Sequence, residues 1–270
     1  MKTLSLITLL FFSAISCKGQ EPKKIAQKTD TLTHKAKSMY YIPTVNSNFE
    51  TFDFQKDKEK YTKTGLAYYD EKSNGYTGAS YKLEEKTENG TTIRDYGLLD
   101  NGMIINPYEF VYYDNSPFMI QKTFYPNGNI QEKGVKKVGG NIYKGVWYYY
   151  DKTGKLINTI DNDKLFGFSW EQIEKFMKEN DIPMLLGNVY HGHNSIRRWT
   201  PLLYPQSSEK DSTQKSGRNL WSITYKGEGW NQYFEVVLDG DTGKILKRTK
   251  YWVSEEGEDV PEPIIEDFSK

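Results

Sequence analysis

The feature that most constrains this chain is a row of turn pairs at a nearly constant spacing. Asn74-Gly75, Asn89-Gly90, Asn101-Gly102, Asn127-Gly128 and Gly139-Gly140 punctuate residues 39–160, and the runs between them are aromatic and β-branched. Such pairs reach positive φ without strain, so between runs of this kind they read as tight hairpin turns. The pattern also repeats. Asn89-Gly90 recurs as Asn127-Gly128, Gly97 as Gly134, Gly102 as Gly140, and Tyr112-Tyr113-Asp114 as Tyr149-Tyr150-Asp151, each at an offset of 37 or 38 residues. Tyr68-Tyr69-Asp70 reads as a degenerate earlier copy. A period of this length means stacked supersecondary units that bury their faces against one another. The expected class is mainly β (α+β): an antiparallel hairpin meander over residues 39–163, then a small helix-plus-hairpin module over 168–252.

The second part carries a different signal. Ser169 and Gln172 form a capping box, and Trp170, Ile173, Phe176 and Met177 fall on one helical face, with Pro183 beyond the helix end. Two strands follow, Leu220 to Tyr225 and Tyr233 to Leu238, and Asp239 to Gly243 turns the chain into Lys244 to Arg248. A loop separates the helix from these strands. Residues 253–270 are acidic and read as a loose tail.

At the other end, Lys2 and the apolar run Leu4 to Ala14 have the form of an export signal over residues 1–16. The run is shorter than the roughly 20 apolar residues a membrane span needs. Residues 17–38, rich in Lys, Thr, Gln and Pro, read as a flexible tether. The single cysteine, Cys17, lies at its start, so the folded part has no disulfide, thiol nucleophile or cysteine metal ligand. With 36 basic and 36 acidic residues, nothing predicts a nucleic-acid partner or attraction to anionic lipid. The 21 Tyr, 13 Phe and 22 Gly fit short strands and many turns.

Three resemblances rest on these residues. Ala14-Ile15-Ser16-Cys17 resembles the lipobox of bacterial lipoproteins, in the short form common among the Bacteroidota. That implies lipid on Cys17, membrane contact through it and a place in the cell envelope. Lys18 in place of the inner-membrane retention Asp implies the outer membrane rather than the inner. The second repeat copy is similar to the MORN-type repeat variant of bacterial proteins named as antitoxin components. Tyr125, Asn127, Gly128, Ile130, Gly134, Gly140, Gly145, Trp147, Tyr149, Tyr150, Gly154 and Leu156 occupy the pattern positions. The helix and strands of residues 168–250, with Asp239, Gly243 and Ile245, resemble the PepSY module. Together they imply a membrane-anchored, non-catalytic lipoprotein that binds another protein. Its role would be immunity- or antitoxin-like, occluding a toxin with an aromatic sheet face. The alternative is a structural or regulatory envelope component that restrains a peptidase or another envelope partner.

Candidate chemistry is sparse. His191-Gly192-His193 points two imidazoles the same way on a strand, but Asn194 to Trp199 reads as a loop with no third ligand. Asp239-x-Asp241-x-Gly243 opens like a calcium loop, yet its twelfth position is Lys250, so a hairpin turn accounts for it better. Ser207-x-x-Lys210 and Ser212-x-x-Lys215 have the spacing of acylating enzymes without apolar residues to build a pocket. Glu84 and Glu85 are adjacent and face opposite ways on a strand. These readings predict no enzyme, no cofactor and no metal. The candidate binding residues are Trp147, Tyr148, Tyr149 and Tyr150, one strand of which must place a ring outside the core. Arg197, Arg198 and Trp199 either grip a carboxylate or sugar, or pair with acidic residues of their own domain.

Overall fold

The computed structural model describes residues 37–70, 75–188, 194–200, 217–254 and 260–268. The turn pairs do fold the first part into a meander. β1 (Thr62–Gly65), β4 (Ala79–Thr87), β5 (Gly90–Leu98), β6 (Ile104–Tyr113), β7 (Phe118–Phe124), β8 (Ile130–Lys137), β9 (Tyr143–Tyr150) and β10 (Leu156–Asp161) lie in that order in one antiparallel sheet. A short ribbon of β2 (Tyr68–Asp70) and β3 (Gly75–Thr77) loops out between β1 and β4. A second antiparallel sheet holds β11 (Ser195–Trp199), β12 (Leu220–Lys226), β13 (Gln232–Asp239), β14 (Ile245–Trp252) and β15 (Ile264–Asp267). Between the sheets in sequence stands α1 (Trp170–Glu179).

The 37-residue period is a three-stranded unit: β4, β5 and β6 repeat as β7, β8 and β9. Its glycine marks the same event in both copies. The register of β5 against β6 shifts between Asp95 and Gly97, and that of β8 against β9 between Lys133 and Val135. A Cβ on Gly134 would lie 2.2 Å from the Trp147 indole, and one on Gly97 would lie 2.6 Å from the Ile105 side chain. Each glycine thus leaves room for a bulky side chain to cross it at a bulge.

Alternation gives the first sheet two faces, here called front and back. The front carries Phe118, Val135 and Ile142, which join Trp170, Ile173 and Met177 of α1 and Trp221, Ile223, Val236, Leu238 and Ile245 of the second sheet in one buried cluster. The two sheets therefore share a core across the expected boundary between residues 163 and 168. α1 sits in this core because its capping box closes as expected. Gln172 N donates to Ser169 Oγ at 3.4 Å and Ser169 N to Gln172 Oε1 at 2.8 Å. Arg198 bridges the sheets, donating to Asn162 O and Tyr143 O while its guanidinium stacks on Phe166 and Trp221.

The upper front face is covered by the chain's own approach to β1. Residues 37–54 form a strap that starts on α1 and crosses the sheet. Ser38 Oγ and Met39 N donate to Glu174 at 2.7 and 2.8 Å, so the last residue assigned to the tether is already docked. Ile42 and Val45 pack on the shared core, and Phe52 and Phe54 join Tyr96, Phe124, Ile130 and Tyr150 in a second cluster.

Four expectations need correction. Tyr68–Asp70 is no earlier repeat copy in the main sheet, because β1 already occupies the edge of β4 and leaves β2 to pair with β3 alone. Ser195–Trp199 is a strand rather than a loop. Its inward residues are Ile196 and Arg198, and Arg198, polar as the sequence is read, covers two aromatic rings. The C-terminal module accordingly has five strands, β11 and β15 flanking the helix-plus-hairpin part expected over 168–252. The acidic tail supplies β15, whose Glu266 lies 3.7 Å from Arg248 on the basic strand beside it. The acidic residues of β15 fit against β14, which carries Lys247, Arg248 and Lys250.

Candidate functional site

Two rows of polar side chains run across the first sheet, one on each face. On the front, Arg94, Glu109, Lys122 and Lys133 stand opposite one another from β5 to β8. Arg94 Nε lies 2.7 Å from Glu109 Oε2, and Lys122 Nζ 2.9 Å from Glu109 Oε1. Lys122 and Lys133 are then like charges side by side, which repel in a sheet. The strap resolves this. Glu50 places Oε2 2.6 Å from Lys122 and Oε1 2.6 Å from Lys133, whose own ammonium is almost wholly buried. Burial alone would raise the Glu50 carboxyl, but hydrogen bonds and charge from Lys122 and Lys133 outweigh it and hold the group below its ordinary value. Glu109 behaves alike: burial raises it, and Lys122 and Arg94 bring it below the carboxylate norm. Beside this clasp lies a concavity of about 280 Å³, where burial pushes the Tyr61 hydroxyl up to about 12. Three anions (Glu50, Glu85, Glu109) balance three cations (Arg94, Lys122, Lys133), so the row is closed by its own members.

The back row differs. Lys82, Asp95, Tyr108, Thr123, Glu132 and Tyr149 face one another from β4 to β9. Around them lie Phe110, Gln121, Lys136, Tyr143 and Trp147. Among the described residues, the apolar cluster on this face, Ile93, Tyr112, Met119 and Val138 with Phe110, draws on the sheet and its turns. Burial raises both carboxyls of the row, Asp95 and Glu132. The opposing influences, Tyr108 and Lys82 for Asp95, and Lys136 and Thr123 for Glu132, do not overcome it. Half-buried carboxyls held above their ordinary value beside aromatic rings are a recognised mark of a functional surface.

The residues singled out by sequence divide between these environments. Trp147 is buried on the back of the sheet, its indole donating to Val135 O. Tyr150 is buried under the strap and Tyr148 packs beside it, both on the front. Tyr149 alone of the tyrosine run is half-buried on the back face. Arg198 is buried between the sheets, Arg197 is exposed, and Trp199 packs on Leu220, Val237 and Leu246. Trp147, Tyr150 and Arg198 are therefore corrected to packing roles: strand alternation and the strap turn their side chains away from solvent. Cys17, His191, His193 and both serine–lysine pairs lie outside the described residues. Asp239 is engaged by its own turn, accepting from Asp241 N, Thr242 N and Thr242 Oγ1.

The chain matches no protein-family model, no curated protein and no solved structure. What sequence reasoning missed is the back row itself: Asp95, Tyr108, Thr123 and Glu132 come from four strands, and only the register brings them into line. Nothing local in the sequence marks them, because each residue's neighbours in the row lie on other strands.

Proposed function

We propose that this chain is a membrane-anchored, non-catalytic binding lipoprotein that holds another protein on the back face of its first sheet. The observation that supports the reading is the unequal cover of the two faces. Among the described residues, the strap, α1 and the second sheet close the front, while the back keeps Tyr149, Tyr108, Gln121 and two half-buried carboxyls on a surface made by the sheet and its turns. Tyrosine on a rigid sheet offers large contact area at low entropic cost. Anchoring rests on the lipobox-like Ala14 to Cys17, and among the described residues no helix is long and apolar enough to cross a membrane. On this reading the protein stands in the cell envelope, at the outer membrane, with a toxin or envelope protein as its partner. An immunity-like role follows from the antitoxin-type repeats, and its mechanism is occlusion of the partner's active cleft.

The test uses the full chain in its source cell, tagged at the C-terminus. Capture from envelope extract should give one stoichiometric protein. Gln121→Arg and Tyr149→Ala, which change the back face and spare the core, should each weaken that capture by about thirtyfold, the loss of a hot-spot contact. Capture that survives both changes would remove the back face from the reading. Acyl-chain labelling that persists in Cys17→Ser would remove the anchor.

A further inference from the structure

At one end of the first sheet the start of β6, the end of β7 and the start of β8 enclose a cleft of about 410 Å³. Its size falls in the range of small-molecule sites. Its chemistry is selective. The polar lining is Asn106, Tyr108, Thr123, Gln131 and Glu132, with Pro126 among the apolar residues. It contains one carboxylate and neither Lys nor Arg, so a phosphate, sulfate or nucleotide meets no compensating charge there.

The lining is also prepared in advance. Tyr108 is pinned from both sides: its hydroxyl donates to Asp95, and its ring stacks on Phe110 at a centroid distance of 4.5 Å. Thr123 and Glu132 follow Tyr108 in the back row, and Thr123 donates to Glu132. Among the described residues Glu132 forms no ion pair. A half-buried carboxylate in that condition retains acceptor capacity for a ligand. Asn106 holds φ at 47°, in the left-handed region, at the bulge that sets Asn106 and Pro107 against the single residue Tyr96. Backbone held there by its surroundings is a recurring property of ligand clamps. Asn106 and Gln131 are exposed and carry both amide donors and amide acceptors.

We infer that this cleft is a saccharide-binding subsite, with the Tyr108 ring as stacking platform, Glu132 accepting from sugar hydroxyls, and the amides of Asn106 and Gln131 completing the hydrogen bonds. A neutral, hydroxyl-rich ligand is the class that uses one acceptor carboxylate, two amides, a hydroxyl and an aromatic face together. The cleft shares Tyr108 and Glu132 with the face proposed above to hold a protein, so the inference rests on that surface, and the two ligands are told apart by Gln121, which lies outside the cleft lining.

The experiment is calorimetric titration of the full chain with soluble tetrasaccharides of glucose, N-acetylglucosamine, mannose and galactose, and with a tetralysine peptide as the cationic rival. At least one tetrasaccharide should bind, and Glu132→Gln should weaken it by about tenfold, the loss of one hydrogen bond to a charged group. Tyr108→Ala should weaken it at least as much, while Lys226→Ala, an exposed change on the second sheet, should leave it unchanged. Glu132→Gln keeps the side-chain shape, so it serves even where Tyr108→Ala disturbs the sheet. No binding of any tetrasaccharide at millimolar concentration, binding indifferent to Glu132→Gln, or tighter binding of tetralysine through Glu132 each overturns the inference. Saccharide binding that persists in Gln121→Arg while protein capture is lost separates this subsite from the protein-binding reading.

Discussion

Lys122 and Lys133 stand opposite each other on β7 and β8, and only Glu50, more than 70 residues away in the chain, reconciles them. Removing that carboxylate leaves the buried Lys133 ammonium facing another cation. Glu50→Gln should therefore lower stability by about 2–3 kcal/mol, a full buried-pair loss reduced because Glu50 is partly open to water. Lys133→Met in the same chain should restore most of it, and urea midpoints measure both. The sign with pH is fixed by the lowered Glu50 and Glu109 carboxyls. Their contribution is complete above the ordinary 4.5 and is lost as pH falls through the lower folded-state values. Lys137 runs the other way. It is buried, the one hydrogen bond its amine makes among the described residues goes to Val138 O, and burial pushes that amine from the ordinary 10.5 down to about 8. Below 8 the fold must carry a buried ammonium. Between 8 and 10.5 the unfolded chain holds the proton more tightly, so stability rises with pH. Lys137→Met should thus stabilise the protein by about 3 kcal/mol at neutral pH, at roughly 1.4 kcal/mol per pKa unit. The gain should shrink towards about pH 10.

At the scale of elements, the repeat works because a small residue sits where a large one crosses. Gly134→Ala places a methyl against the Trp147 indole, so β8 and β9 must shift, at a cost of about 1–3 kcal/mol. Gly139→Ala, at a turn with open space around it but φ of 66°, tests backbone strain alone. A larger loss at Gly134 in thermal melts would confirm that packing and not turn geometry governs the repeat. These elements were legible in the sequence because their signals are local: Asn-Gly turns, the Ser169–Gln172 cap and the apolar stripe of α1 need only a few neighbouring residues. β11 was not, since Arg198 reads as polar until the rings of Phe166 and Trp221 are known to lie beneath it. The strap was not legible: residues from 39 onward read as the start of the meander, and Glu50 and Glu174 find their partners only at a distance along the chain. The back row failed for the same reason: Tyr108, Thr123 and Glu132 meet only through a register that three shifts along the sheet help to set.

For the whole molecule, the decisive fact is that one core serves both sheets. Phe118, Val135 and Ile142 from the first, Ile173 and Met177 from α1, and Ile223 and Leu238 from the second bury one another. Unfolding should be one event, with tryptophan fluorescence and far-ultraviolet circular dichroism giving coincident transitions in urea. A chain cut after residue 163 would leave Phe118, Val135 and Ile142 bare, and that fragment should be insoluble or aggregated where the intact chain is not. Two separated transitions would show that the sheets are independent units.

The strap has a mechanical consequence. Tension arriving from the N-terminal side meets Ser38 and Met39 on Glu174 first, then the apolar seats of Ile42 and Val45, then the Glu50 clasp and Phe52. These fasteners lie one after another along the line of pull, so they yield in sequence rather than together. Each release lengthens the leash by a few residues and dissipates work before any strand of the sheet is loaded.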